Sequence, residues 1–140
     1  MTQAIGLTVF LLATLGLAQA QIGHPLTYRV ASGAIIGMSI VIATTFLWLW
    51  RVRLTPLALG MAFSWAGGAL VMVWWWKIAD KTGTPTALDA AALLLAVATY
   101  TTGAILHFAV ITRSFDLPRA TPIVLPVVAY ILSATVACIG

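Results

Sequence analysis

The sequence predicts an all-α integral membrane protein, a compact bundle of five transmembrane helices forming one domain over residues 1–140. Three observations carry that expectation. Hydrophobic residues make up 62% of the chain and charged ones only 7%, against roughly 25% charged in an ordinary soluble domain. The apolar residues gather into long runs separated by short polar seams. The lysines and arginines sit at the ends of those runs, several beside tryptophan, as helix-end anchors meeting lipid headgroups do. Seven Lys and Arg and three Asp and Glu side chains cannot furnish the polar skin that a soluble fold of this length needs. The same scattered distribution of a small net positive charge excludes a nucleic-acid surface. A lone Cys138 excludes an internal disulfide.

The first run, Ala4 to Ala20, has two readings. Ala18-Gln19-Ala20 has the small-x-small form of a signal-peptidase site, and the run is short for a span. Met1-Thr2-Gln3 lacks the basic residues of a signal peptide, so the expectation is a retained first helix. The bundle has four helices if residues 1–20 are removed. Gln21 to Arg29 reads as a polar connector with Gly23 and Pro25 as breakers. The second helix runs from Val30 to Trp50 and ends in Trp48, Trp50, Arg51 and Arg53. Thr55-Pro56 opens the third, with Thr as N-cap and Pro at the first helical position. It ends in Trp74-Trp75-Trp76-Lys77, a second aromatic belt about 20 residues from the first, as a span of ~30 Å requires.

Ile78 to Pro85 is polar. Thr84-Pro85 and Thr86 are alternative starts for the fourth helix, and Asp89, three residues after Thr86, suits a capping box. That helix runs to Thr112. Arg113 to Ala120 forms a loop, and Thr121-Pro122 opens the fifth helix. Arg51, Arg53, Arg113 and Arg119 then share one side of the membrane, and Arg29, Lys77 and Lys81 the other. The bias places the N-terminus in the cytoplasm and the C-terminus outside, in a bacterial inner membrane.

Small residues mark where helices can approach closely. Gly33 and Gly37 lie four apart on the second segment; Gly60, Ser64 and Gly68 repeat every four on the third. Folding the chain at Arg51-Val52-Arg53-Leu54-Thr55 sets Gly37 and Gly68 about equally far from the turn. These two faces are therefore expected to pack against each other, or against a partner chain. Gly103 is the corresponding small residue of the fourth helix.

His107 is the sharpest candidate site. Gly103 and Thr99 precede it at intervals of four, so the three share a helix face with Tyr100 close by. A glycine one turn from a histidine leaves room for a flat macrocycle, and neutral imidazole ligates haem iron or chlorophyll-type magnesium. The plainer reading is a hydrogen bond to a neighbouring helix. His24 falls on the far side in this topology, so a two-histidine haem is not expected. Asp89 reads as a cap and Asp80 as a solvated loop charge. No other acid lies within a span, so the buried carboxylates of an ion-coupled carrier are missing. The Thr99-Tyr100-Thr101-Thr102 cluster could line a polar path, but threonine hydroxyls in membrane helices bond back to the preceding turn. There is no phosphate loop, metal-ligand spacing or nucleophile elbow.

Three functional classes follow. The first is a non-catalytic small subunit or assembly factor of a larger membrane complex, of the energy-transducing, electron-transport kind, with the lipid bilayer and other membrane subunits or copies of itself as partners. The second is a haem- or pigment-binding protein ligating through His107. The third is a small oligomeric transporter or channel for a neutral solute. No enzymatic activity is expected from these residues.

Overall fold

The computed structural model describes residues 2–79 and 86–139. Among them five helices follow in order: α1 Thr2–Ile22, α2 His24–Arg53, α3 Pro56–Ala79, α4 Ala87–Ser114 and α5 Thr121–Ile139. All are long and apolar enough to cross a membrane, and no described residue lies in a strand. The Thr84-Pro85 start for α4, Asp80 and Lys81 lie outside the described residues. The chain divides into two compact units, Met1–Ile35 and Ile36–Gly140.

In the first unit the expected connector shrinks to one residue. Only Gly23 lies between α1 and α2, in the left-handed region at φ +82°, where glycine carries no Cβ penalty. Its N–H donates to the Gln19 carbonyl at 3.1 Å, and its own carbonyl accepts from the Thr27 N–H at 3.2 Å. The Thr27 hydroxyl donates to that same carbonyl at 2.9 Å. Pro25 falls in the first turn of α2, where a missing N–H costs nothing. The segment from His24 to Arg29 is therefore helical, with Gly23 turning the chain and its carbonyl accepting the first bond of α2.

The second unit holds the rest of α2 with α3, α4 and α5. The α2–α3 link is also shorter than expected, since α2 continues to Arg53. Leu54 turns the chain at φ +50°, and its N–H donates to the Trp50 carbonyl at 2.6 Å; Thr55 then supplies the carbonyl that accepts from the Ala58 N–H at 3.0 Å. At the start of α4 the capping box forms as the sequence suggests: Thr86 is the N-cap and Asp89 its reciprocal partner. The Asp89 carboxylate accepts from the Thr86 N–H at 2.9 Å and from its hydroxyl at 2.7 Å. At the other end Asp116 adopts φ +51°, and the Leu117 N–H donates to the Thr112 carbonyl at 3.0 Å, the six-residue closure of a Schellman cap. Pro126 sits inside α5 and removes one backbone donor there.

The main helix contact is between α3 and α4, and it is a backbone contact. A Cβ at Gly60 would lie 2.9 Å from the His107 backbone nitrogen, one at Gly67 2.6 Å from Tyr100 Cα, and one at Gly103 2.8 Å from Ser64 Cα. The pairs run antiparallel: Gly60, Ser64 and Gly67 ascend α3 while His107, Gly103 and Tyr100 descend α4. The Trp74 indole N–H adds a tie at one end, donating to the Asp89 carbonyl at 2.7 Å.

This corrects the expected hairpin seam. Among the described residues of the second unit a Cβ at Gly37 or at Gly68 would meet nothing within 4 Å, so neither glycine serves a close approach there. The reason is helical phase. At about 100° per residue, Gly60, Ser64 and Gly67 return to nearly one line, whereas Gly68 has walked about 80° off it. Gly60, Ser64 and Gly103 do lie in a tight contact, but between α3 and α4. On α2 the buried positions of this unit are Ile36, Ser39 and Ala43, and on α3 Ala58, Ala62 and Ala69 are buried as well. Serine and alanine, not glycine, occupy those faces. Gly33 is half-buried, in the first unit.

Two predictions follow from these contacts. Gly67→Ala and Gly103→Ala should each lower thermal stability in detergent by an overpacking cost of about 1–3 kcal/mol, while Gly37→Ala and Gly68→Ala leave the melting temperature unchanged or slightly raised. Asp89→Ala removes half of the capping box and should destabilise by about 1 kcal/mol, with Asp89→Asn retaining part of the loss, read in the same melting experiment.

Candidate functional site on α4

Polar residues cluster in the middle of α4, and the structure sends them in different directions. Thr99, Thr101 and Thr102 each give their hydroxyl proton to their own helix: to Leu95 at 2.8 Å, to Val97 at 2.8 Å and to Ala98 at 2.9 Å. This is the back-bonding that an apolar surrounding favours, since a hydroxyl left alone there is costly. With their protons committed, the threonines present oxygen acceptors only.

Thr99 faces a groove of about 470 Å³ whose other walls are Ile40, Ala43, Thr44 and Leu47 of α2 and Ala62, Phe63, Ala66, Ala69, Leu70 and Val73 of α3. Tyr100 and Thr101 face a second groove of about 530 Å³, shared with Val71, Val97, Ala104 and Phe108 and with Leu125, Pro126, Ala129, Tyr130 and Ser133 of α5. Thr102 is exposed, and Gly103 lies against Ser64. The cluster thus serves two grooves and one packing seam, not one continuous path through a single chain.

His107 stands at the α3–α4 seam with its backbone nitrogen opposite Gly60. Its ring meets Phe108 edge-on, with centroids 6.1 Å apart. Its Nδ1 is buried and has no hydrogen-bond partner among the described residues, as does Thr112 Oγ1. A buried ring nitrogen without a partner costs about 1–3 kcal/mol. The room beside Gly103 that a macrocycle would use is filled by the Ser64 backbone and hydroxyl. A planar cofactor therefore cannot lie flat over α4 one turn before His107 while α3 is in place. No group of three or more His, Cys, Asp or Glu side chains among the described residues could hold a metal ion.

The α4–α5 tie was not anticipated in the sequence. Tyr130 of α5 and Thr101 of α4 share a hydroxyl–hydroxyl hydrogen bond. The one signal for it was a tyrosine in the middle of an otherwise aliphatic helix, away from the aromatic belts. Gly67 was missed too, hidden beside Gly68 by a count in strict fours. Of the belt tryptophans, Trp48 and Trp75 are exposed, whereas Trp74 turns its N–H inward to Asp89. A buried indole needs such a partner.

No protein-family model, curated protein or solved structure matches this chain.

The occupied space beside Gly103 makes a spectroscopic prediction. Titrating haem into the detergent-solubilised protein should give the same Soret absorbance for the wild type and for His107→Ala. A band that needs His107 would require α3 to move off α4.

Proposed function

We propose that this chain is an integral membrane protein whose work is contact within the bilayer, as a non-catalytic small subunit or assembly factor of a larger membrane complex. One observation carries the reading. Gly37 and Gly68 sit within helices of the second unit, and among its described residues a Cβ at either would meet nothing within 4 Å. Glycine inside a helix costs about 1 kcal/mol relative to alanine, and no close approach within that unit accounts for these two. A helix from another chain, lying close against such a face, is the arrangement that does.

The rest of the surface fits the same reading. Large apolar side chains are exposed along α5, among them Ile123, Val124, Ile131, Leu132 and Val136. The described links between helices are short: Gly23, Leu54 with Thr55, and Phe115 to Ala120. They leave little outside the bilayer for a partner to grip, so recognition falls to helix faces. The exposed arginines Arg51, Arg53, Arg113 and Arg119 orient the chain with its N-terminus in the cytoplasm and its C-terminus outside, in a bacterial inner membrane.

Native mass spectrometry of the gently solubilised protein tests this reading. The expected result is a stoichiometric assembly with other membrane polypeptides, weakened by Gly37→Leu or Gly68→Leu while the melting temperature of the isolated chain holds. A lone monomer, with both variants indistinguishable from the wild type, sinks it.

A further inference from the structure

We propose that the groove between α4 and α5 binds a neutral amphiphile, a long apolar body ending in a hydroxyl group. The inference goes beyond a role in assembly and does not depend on it. It rests on the volume of the groove and on the direction in which its hydrogen bonds point.

The groove holds about 530 Å³, within the range of sites that enclose small organic molecules. Its walls are aliphatic and aromatic save for four hydroxyl-bearing side chains, Tyr100, Thr101, Tyr130 and Ser133. The proton positions at the centre can be assigned by counting. Thr101 has one hydroxyl proton and gives it to the Val97 carbonyl at 2.8 Å. In its bond with Tyr130 Thr101 must therefore accept, and Tyr130 donates. The Tyr130 oxygen has then spent its proton and can only accept from anything further.

Ser133 lies one turn along α5 from Tyr130, on the same groove, and makes no hydrogen bond among the described residues. Its hydroxyl proton is unspent, although a serine in an apolar helix ordinarily returns it to the preceding turn. The groove thus offers one acceptor at Tyr130 and donors at Ser133 and Tyr100, whose hydroxyl likewise makes no hydrogen bond among the described residues. A hydroxyl group is the smallest neutral function that meets both kinds, donating to Tyr130 and accepting from Ser133. An ether or ester can use the donors alone, and an alkane none of them. Tyr130 stands near the middle of α5 (Thr121–Ile139), so the polar end of the ligand is held deep in the apolar layer, with its body along the groove past Ala104 and Phe108.

Photolabelling in lipid nanodiscs tests this, with a diazirine-bearing long-chain alcohol as the probe and peptide mapping as the readout. Labels are expected on α4 and α5 around Tyr130. Unlabelled hexadecanol should compete for them, while hexadecane and the methyl ether of hexadecanol compete poorly. Ser133→Ala and Tyr130→Phe should each reduce labelling roughly two- to tenfold, the value of one hydrogen bond. Ser133 is exposed and unpartnered, so its variant keeps the wild-type melting temperature and reads binding alone. Equal competition by hexadecane would mean that any acyl chain fills the groove, and the proposal fails. It fails equally if both variants label like the wild type, or if the label lands elsewhere because another protein's helix occupies the groove.

Discussion

The structure depends on one backbone approach, where Gly60 and Gly67 of α3 and Gly103 of α4 let two helices touch without side chains between them. In an apolar solvent there is no hydrophobic gain in bringing two leucine faces together, because lipid tails serve as well as leucine. What remains is dispersion between closely packed atoms, and that falls steeply with separation. Three positions without a Cβ bring Ser64, Tyr100 and His107 into that range. The other features of the second unit are arranged about this seam: the Trp74 tie to Asp89 at one end, the two grooves on either side, and α5 held to α4 through Tyr130.

Helices long and apolar enough to cross a membrane place a matching demand on their polar groups. A hydroxyl or a helix-end N–H without water must find a partner nearby. Thr44, Thr99, Thr101, Thr102 and Thr135 all bond to carbonyls of their own helices. The α4 ends are closed by the Thr86–Asp89 box and by the turn at Asp116. Among the described residues His107 Nδ1 and Thr112 Oγ1 are buried without partners, and several hydroxyls, Ser133 on the α5 groove among them, bond to nothing. The groove around Ser133 has the room for a ligand to meet one.

His107 shows how a plausible local pattern can be undone by a neighbour. A glycine one turn before a histidine does leave space on an isolated helix. In the folded chain Ser64 takes that space, and the glycine proves to serve packing between α3 and α4. The threonine cluster beside it divides in the same way, since consecutive residues on a helix point about 100° apart and so reach different neighbours.

Helix number and the cap of α4 were legible in the sequence because they are local. Apolar run length sets where a helix can form, Thr55-Pro56 and Thr121-Pro122 mark starts, and Thr86 with Asp89 encodes its own box within four residues. The short links at Gly23 and Leu54 were overestimated, because polar residues such as Thr27 and Arg29 are as compatible with a helix end as with a loop once Gly23 supplies the turn. Which faces meet was a different matter. Gly37 and Gly68 matched in distance from the turn, yet the close contact formed between α3 and α4, where Gly60, Ser64 and Gly67 stay in phase with His107, Gly103 and Tyr100. Phase between two helices is a relation between distant segments, fixed by the three-dimensional packing of both. So is the meeting of Thr101 with Tyr130, and with it the polarity of the α5 groove.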